Sequence, residues 1–400
     1  MNRRSFLRLG AAGAAALGGC LPRVEGGPQD PEEPEPYLTP QEKFRDVSRG
    51  SPIPHKLPPE KLAKAGLTRE TWTLDVLSDP DNKADLKNPL TKEKGTALDW
   101  DRLMKLTEKN RVSFLKIMTC NNIGTPLGMG LWEGVPLRDV VWLTNPKADL
   151  RRVFYYGYHN DDPKQVFRSS LPIGRVLEDP PGVPPVILCT KLNGRVLTPA
   201  RGGPVRMVVP EGYGFKSVKW LTHVVLTNLF HANDTYADGN NDVDSAMKTF
   251  ARTISLPGEA KANEPVPVAG LAQVGISGLA RVQVWVAPAG EAWPADDPYF
   301  TSAPWKDAEI LPAPTRWGGE LPEGKLPSIP LQFDPKTGRP DRWPLPLTKA
   351  YWVARLPGLA AGKYVVRCRT IDANGAAQPM PRPFPKSGRA GIEEKPLVVK

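Results

Sequence analysis

The sequence predicts an α+β chain of two domains: a mixed domain over residues 41–230, then an immunoglobulin-like β-sandwich over 263–400. Three observations carry this. A length of 400 residues exceeds one ordinary core and suits two. The 46 prolines and 36 glycines favour strands and loops over long helices. The apolar texture also changes along the chain. Before about residue 230, short runs such as TWTLDVL, VSFLKIM and PVILCTKL alternate with turns, whereas beyond about 265 apolar residues recur with period two.

Residues 1–19 read as an export signal rather than as structure. Arg3-Arg4 precedes Ser5, Phe6 and Leu7, and a small-residue stretch follows, the pattern of a twin-arginine signal. The stretch Gly10–Gly19 is too short to span a bilayer. It ends in Leu17-Gly18-Gly19-Cys20, which resembles a bacterial lipobox and makes Cys20 the expected lipidation site and membrane anchor. An ordinary cut further on, discarding Cys20, is the alternative. Residues 20–40 are expected to be a linker rich in proline and acid. The expected location is the periplasm or cell surface. Loss of the signal removes three arginines and no acids, taking the formal charge from +10 to +7. Export and the lack of an arginine stripe with interleaved aromatics argue against nucleic acid.

In the first domain, helix-period segments are short, with 59–66 and 97–109 the best. Residues 231–262 are polar and irregular and read as a crossover. The runs VPVAGLAQVGISGLARVQVWVAP and KAYWVARLPGLAAGKYVVRCRTIDANG then alternate as sandwich strands do. Between them, residues 288–347 carry thirteen prolines and four tryptophans and read as an ordered insertion with little room for central strands.

Beyond Cys20 the chain has Cys120, Cys189 and Cys368, an odd number at irregular spacing and hence no disulfide framework. The sequence has no CxxCH for covalent haem and no CxxC pair, and its four histidines do not suit a histidine-rich metal site. Cys189 and Cys368 lie inside apolar runs and read as core thiols. The apolar run VSFLKIM leads into Cys120, which is followed by Asn121, Asn122, Gly124, Gly128 and Gly130. A second stretch, KLNGRVLTPARGGPVRMVVPEGYGFKSVKWLTH (191–223), holds a turn signal at Asn193-Gly194 and four cations within nineteen residues: Arg201, Arg206, Lys216 and Lys219. Glycines that admit close backbone approach, together with clustered cations, suit a phosphate. A solvated basic hairpin explains these residues equally well.

These stretches resemble the sulfite oxidase family. GLWEGVPLRDVV (130–141) is similar to the family's block following its cysteine, and 191–224 resembles its longest signature almost throughout. The segments PVPVAGLAQVGISGLARVQVWVAPAGEAW and LAAGKYVVRCRTIDANGAAQP resemble its dimerisation domain, so the resemblance covers roughly 40–380. It implies a sulfite-oxidase-type molybdopterin-binding domain, a molybdenum–molybdopterin cofactor and Cys120 as both catalytic residue and molybdenum ligand. A soft thiolate suits such a metal. Carried over by position, Arg206, Ser217, Val218 and Lys219 hold phosphate and pterin, beside Lys216. Arg201 stands where the family has histidine or asparagine. His159 falls near another cofactor-contacting stretch, with a surface loop histidine as the alternative reading. VSRGSPIPH (47–55) resembles a pterin-contacting turn and points to Ser48, Arg49 and Gly50.

The departures concern the substrate. The family follows its metal cysteine with an arginine-bearing cluster that binds sulfite, whereas Cys120 is followed by Asn121-Asn122-Ile123-Gly124. The family's tyrosine before its Glu-Met-Asn-Gly run has Thr190 in its place. The last stretch, PKSGRAGIEEKPLVVK, departs from the family's aromatic-rich ending. The expectation is therefore an exported molybdopterin oxidoreductase moving an oxygen atom and two electrons to or from a small substrate: a sulfur oxyanion, a sulfoxide or an N-oxide. With no haem in this chain, it exchanges electrons with a separate cytochrome or quinone-linked carrier, and a homodimer is compatible with the second domain. The alternative is a surface-anchored binding protein that kept the fold and lost the chemistry.

Overall fold

A computed structural model describes residues 36–400. The expected export signal, lipidation at Cys20 and linker residues 20–35 lie outside the described residues. The first domain runs through helix α1 (Pro59–Lys64), β1 (Thr73–Ser78), β2 (Leu98–Asp99), α2 (Trp100–Asn110), β3 (Val112–Met118), β4 (Gly128–Pro136), α3 (Leu137–Leu143), β5 (Arg152–Gly157), β6 (Ser169–Pro172), α4 (Ile173–Leu177), β7 (Ile187–Leu192), β8 (Arg195–Val196), β9 (Arg206–Val208) and β10 (Leu221–Thr227). Both helix-period segments of the sequence form helices. The longer is capped by Asp99, whose carboxylate accepts from the Arg102 N–H at 2.8 Å.

Two sheets build this domain. One has the order β2-β1-β10-β5-β6, with β1 and β10 parallel and its other pairs antiparallel. The other has the order β3-β4-β7-β8, with β9 also on β7, all antiparallel. Alternation drives their packing: Leu74 and Val76 of β1 enter one core with Val153 and Tyr155 of β5, Leu188 of β7 and Met207 of β9. The β7–β8 hairpin turns at Asn193-Gly194, where both φ angles are positive (53° and 74°), as a type I′ turn requires.

The second domain contains β11 (Phe250–Ser255), β12 (Glu259–Ala260), β13 (Val266–Gln273), β14 (Arg281–Pro288), β15 (Lys306–Ile310), β16 (Lys349–Leu356), β17 (Gly362–Ile371) and β18 (Glu393–Val399). Pairing runs β11-β13-β16-β15-β14-β17-β18-β12, but β15 changes partner midway. Its first residues pair with β14, and Glu309 and Ile310 pair with β16. The two halves therefore face each other as a sandwich, with Val268 and Trp352 of one sheet meeting Val284, Val366, Cys368 and Leu397 of the other.

Two boundaries differ from the sequence reading. The sandwich begins at β11, inside the expected crossover 231–262, because Ala251 already enters its core. The short run FARTIS gains strand character only from pairing with β13. The 288–347 insertion contains β15 and is no mere excursion, for it packs on the first domain. Trp317 and Trp343 each meet Tyr37, which the sequence placed in the linker but which is fully buried, at 5.7 Å between ring centroids, and the Leu331 N–H donates to the Ser113 carbonyl of the first domain at 2.8 Å. Its apolar side chains cover the Leu115–Ile117 and Met129–Leu131 face of the second sheet. Prolines cannot extend a ladder, but they can carry a chain across a sheet face. Each large apolar side chain buried there contributes about 1.5–3 kcal/mol. No helix among the described residues is long and apolar enough to cross a membrane.

Candidate active site

Strand β3 ends in the first domain at Met118, and two residues later Cys120 enters the wall of a cavity of about 350 Å³. The glycine-rich loop after β9 and the segment before α1 also line it, and the Gly214 N–H of that loop donates to the Thr119 carbonyl at 2.6 Å. Ser48, Arg49, Gly50, Cys120, His159, Arg201, Arg206, Ser217, Val218 and Lys219 all line it. The structure thus brings together every site residue expected in the described chain except Lys216. The Lys216 amine points away into the core, donating to Asp234 Oδ2 at 2.8 Å and to the Ser170 carbonyl at 2.7 Å. Sequence proximity to Ser217 misplaced it: a 3₁₀ turn at Gly214–Lys216 rotates successive side chains to opposite sides.

The cations are held by backbone carbonyls. Arg206 donates to the carbonyls of Ser217 (2.6 Å) and Arg201 (3.0 Å), and Arg201 donates to that of Phe44 (3.1 Å). Burial lowers the pKa of both, that of Arg206 to about 10. Their Nε atoms are buried without a hydrogen-bond partner among the described residues, a costly arrangement unless a ligand supplies acceptors. The Lys219 amine meets Ser48 Oγ (2.7 Å), the Ala200 carbonyl (2.7 Å) and Asp46 Oδ1 (3.0 Å). Burial and the Arg206 charge push it down to about 7 against the pull of Asp46. For Asp46, burial acts to raise the carboxyl, but Ser48 and Lys219 outweigh it and hold it well below the usual range.

Glycines make these approaches possible. At Gly202 (φ +93°) an added Cβ would lie 2.7 Å from Lys219 Cγ and 2.9 Å from its Cα. Gly50 (φ +119°) would place one 2.9 Å from Pro54 Cδ. Lys116, fully buried on β3, donates to the carbonyls of Pro210 (2.8 Å) and Gly212 (2.9 Å), tying the strand that delivers Cys120 to the loop that delivers Lys219. Burial pushes its amine down to about 7 despite Glu211.

The three described thiols are free and differ in setting. Cys189 and Cys368 are fully buried, and burial raises both to about 12. Cys120 is partly exposed to the cavity, with its Sγ 3.9 Å from Asn121 Oδ1. Among the described residues no cluster of three or more His, Cys, Asp or Glu side chains could hold a metal ion. A metal here would draw one protein ligand from Cys120. Thr190, which stands in place of the tyrosine, is buried on β7 and does not line the cavity.

Sequence reasoning missed the aromatic lining: Phe44, Tyr158, Phe167, Phe215, Trp220 and Tyr236. Arg49 lies 4.4 Å over the Phe167 ring and donates to Tyr236 Oη at 2.5 Å. Burial raises the phenol of Tyr236, with Cys120 adding to it against Arg49. The Trp220 ring stacks on His55 at 6.0 Å. These residues are scattered over five segments, and only the alternation around Tyr156–Tyr158 offered a signal.

The family description Oxidoreductase molybdopterin binding domain matches residues 67–234. Sulfite oxidase of Gallus gallus is 25% identical over 364 residues, 86% of this chain and 69% of that protein. The NADPH nitrate reductase of Fusarium oxysporum is 31% identical over 113 residues, 27% of this chain and only 12% of that protein. The crystal structure of the sulfane dehydrogenase SoxCD from Paracoccus pantotrophus has the same fold, with a TM-score of 0.58 over 96% of each chain at 15% identity. Residues 67–234 thus match an oxidoreductase molybdopterin-binding domain, and the chain is similar to sulfite oxidase over most of its length.

Proposed function

We propose that this protein is a molybdenum–molybdopterin oxidoreductase of the bacterial cell envelope, exported by the twin-arginine route and anchored through Cys20. It transfers an oxygen atom and two electrons to or from a small substrate: a sulfur oxyanion, a sulfoxide or an N-oxide. The observation that carries this is the position of Cys120: a free thiol lining the same cavity as Arg201, Arg206 and Lys219.

The residues present fit the cofactor. Two buried arginine Nε atoms lack acceptors, which phosphate oxygens would supply. The cavity volume lies in the range of small-molecule sites, and its aromatic faces suit a planar ring system. Cys120 would give a thiolate to molybdenum; Arg201, Arg206 and Lys219 would hold phosphate, with Ser217 and Val218 behind them. Ser48, Arg49, Gly50 and His159 would flank the pterin. When bound, the group supplies two-electron oxygen-atom transfer at its metal.

The chain itself orients and excludes. Lys116 ties β3 to the loop after β9, and Asp46 accepts from the Lys219 amine and holds it in place. Tyr158 and Tyr236 line the cavity as phenols, which are protonated at neutral pH, so each can offer an O–H donor to the reacting molecule. Electrons pass to or from a separate cytochrome or quinone-linked carrier.

The test is a panel of sulfur oxyanions, sulfoxides and N-oxides with artificial electron donors and acceptors on molybdenum-loaded protein. At least one class is expected to turn over in one direction. Inactivity against every class with full molybdenum occupancy would overturn the catalytic reading.

A further inference from the structure

Cys120 sits in the loop that joins β3 to β4, residues 119–127. That is long for a hairpin connection, and such a loop needs outside support to hold one conformation. Its ends have that support within the first domain: the Leu127 N–H donates to the Met118 carbonyl at 2.8 Å, and the Arg45 N–H to the Leu127 carbonyl at 2.9 Å. Just after Cys120 the bonding within the loop is poor, since the Ile123 N–H reaches the Cys120 carbonyl only at 3.4 Å.

There the support comes from the second domain. Arg252 on β11 donates through Nε to the Gly124 carbonyl at 3.0 Å. The Gly388 N–H, in the 384–389 turn, donates to the Asn121 carbonyl at 3.0 Å. We propose that Arg252 is a positioning residue, which holds the 120–124 segment from outside the cavity and so sets how the Cys120 thiol meets it. The proposal rests on the reading of Cys120 as the molybdenum ligand and adds what orients that ligand.

The Arg252 guanidinium works in two directions. Its Nη1 donates to the Gly391 carbonyl at 3.2 Å, so one planar fork ties the Cys120 loop to the segment that follows the 384–389 turn. Gly391 is itself fixed, because the Gln378 amide donates to the same carbonyl at 2.9 Å. The fork lies close against the loop: a Cβ added at Gly124 would meet Arg252 Nη2 at 3.0 Å. Its base is firm. Arg252 pairs with Leu271 of β13, and its guanidinium carbon lies 5.4 Å from the Phe250 ring centroid. The bond to Gly124 is partly buried and has a charged donor, which makes it stronger than a neutral one. Arg252 does not line the cavity, so it acts on a bound group only through the loop.

The test uses full-length, molybdenum-loaded protein carrying Arg252→Met, with Arg252→Lys as the second variant should the first fail to fold. Lysine keeps the charge and the stem but lacks the fork that reaches both carbonyls. Hydrogen exchange of the 121–124 amides is expected to rise about tenfold or more, the equivalent of one charge-assisted hydrogen bond, with β3 and β4 exchanging as in wild type. The thiolate-to-metal absorption should shift in energy and kcat should fall, while KM and molybdenum content stay near wild type. Exchange and absorption unchanged in a folded, molybdenum-containing variant would overturn the positioning role. Wild-type protein without molybdenum or without that absorption would overturn the ligand reading instead, and the exchange rates would then decide the Arg252 clamp by themselves.

Discussion

Cys120→Ser is expected to lose more than about a hundredfold in activity, beyond what supporting groups around a metal normally contribute. It should also lose the thiolate-to-metal absorption. The protein should still fold, because Cys120 is partly exposed and its Sγ makes only a long contact to Asn121. Cys189→Ser provides the contrast. That thiol is fully buried between β4 and β9, donating to the Lys191 carbonyl at 3.2 Å, and burial keeps it protonated. Its loss should touch packing and leave the absorption intact. The reverse pattern would transfer the ligand role to Cys189.

Lys216→Met is expected to cost stability rather than a cofactor contact, by about 3–5 kcal/mol, the usual result of leaving a buried charge unpaired. The amine and Asp234 meet at 2.8 Å with side chains 5% and 1% exposed. Burial lowers the Lys216 pKa against the pull of Asp234. Asp234 also accepts from Ser169 Oγ and the Ser170 N–H, so the pair joins the 214–216 turn to β6. Denaturant unfolding of Lys216→Met, Asp234→Asn and the double variant checks it. The double variant should recover part of the loss, since no lone charge remains. A Lys216→Met protein as stable as wild type would show that the pair contributes little. Lys219→Met, by comparison, should lower molybdenum content more than stability.

Much of the cavity was legible because its residues come in runs. Cys120 follows a mostly apolar strand by two residues, and Arg201 to Lys219 lie in one glycine-punctuated segment. What escaped was set by tertiary geometry. The side of the chain on which Lys216 emerges depends on one 3₁₀ turn, which no period reports. The 384–389 turn comes from a segment more than 260 residues beyond Asn121, whose carbonyl accepts from the Gly388 N–H. The sandwich strands read well because period-two alternation is a local signal. β11 and β15 did not, since each is short and owes its conformation to its partners.

The central claim is that this cavity holds molybdenum through Cys120. Metal analysis of the folded protein, produced in a host that makes the cofactor, tests it most directly. Stoichiometric molybdenum in wild type, lost or strongly depleted in Arg206→Met and Lys219→Met, is the predicted result. A fully folded wild-type protein that carries none would contradict the account and favour a binding protein built on the same fold.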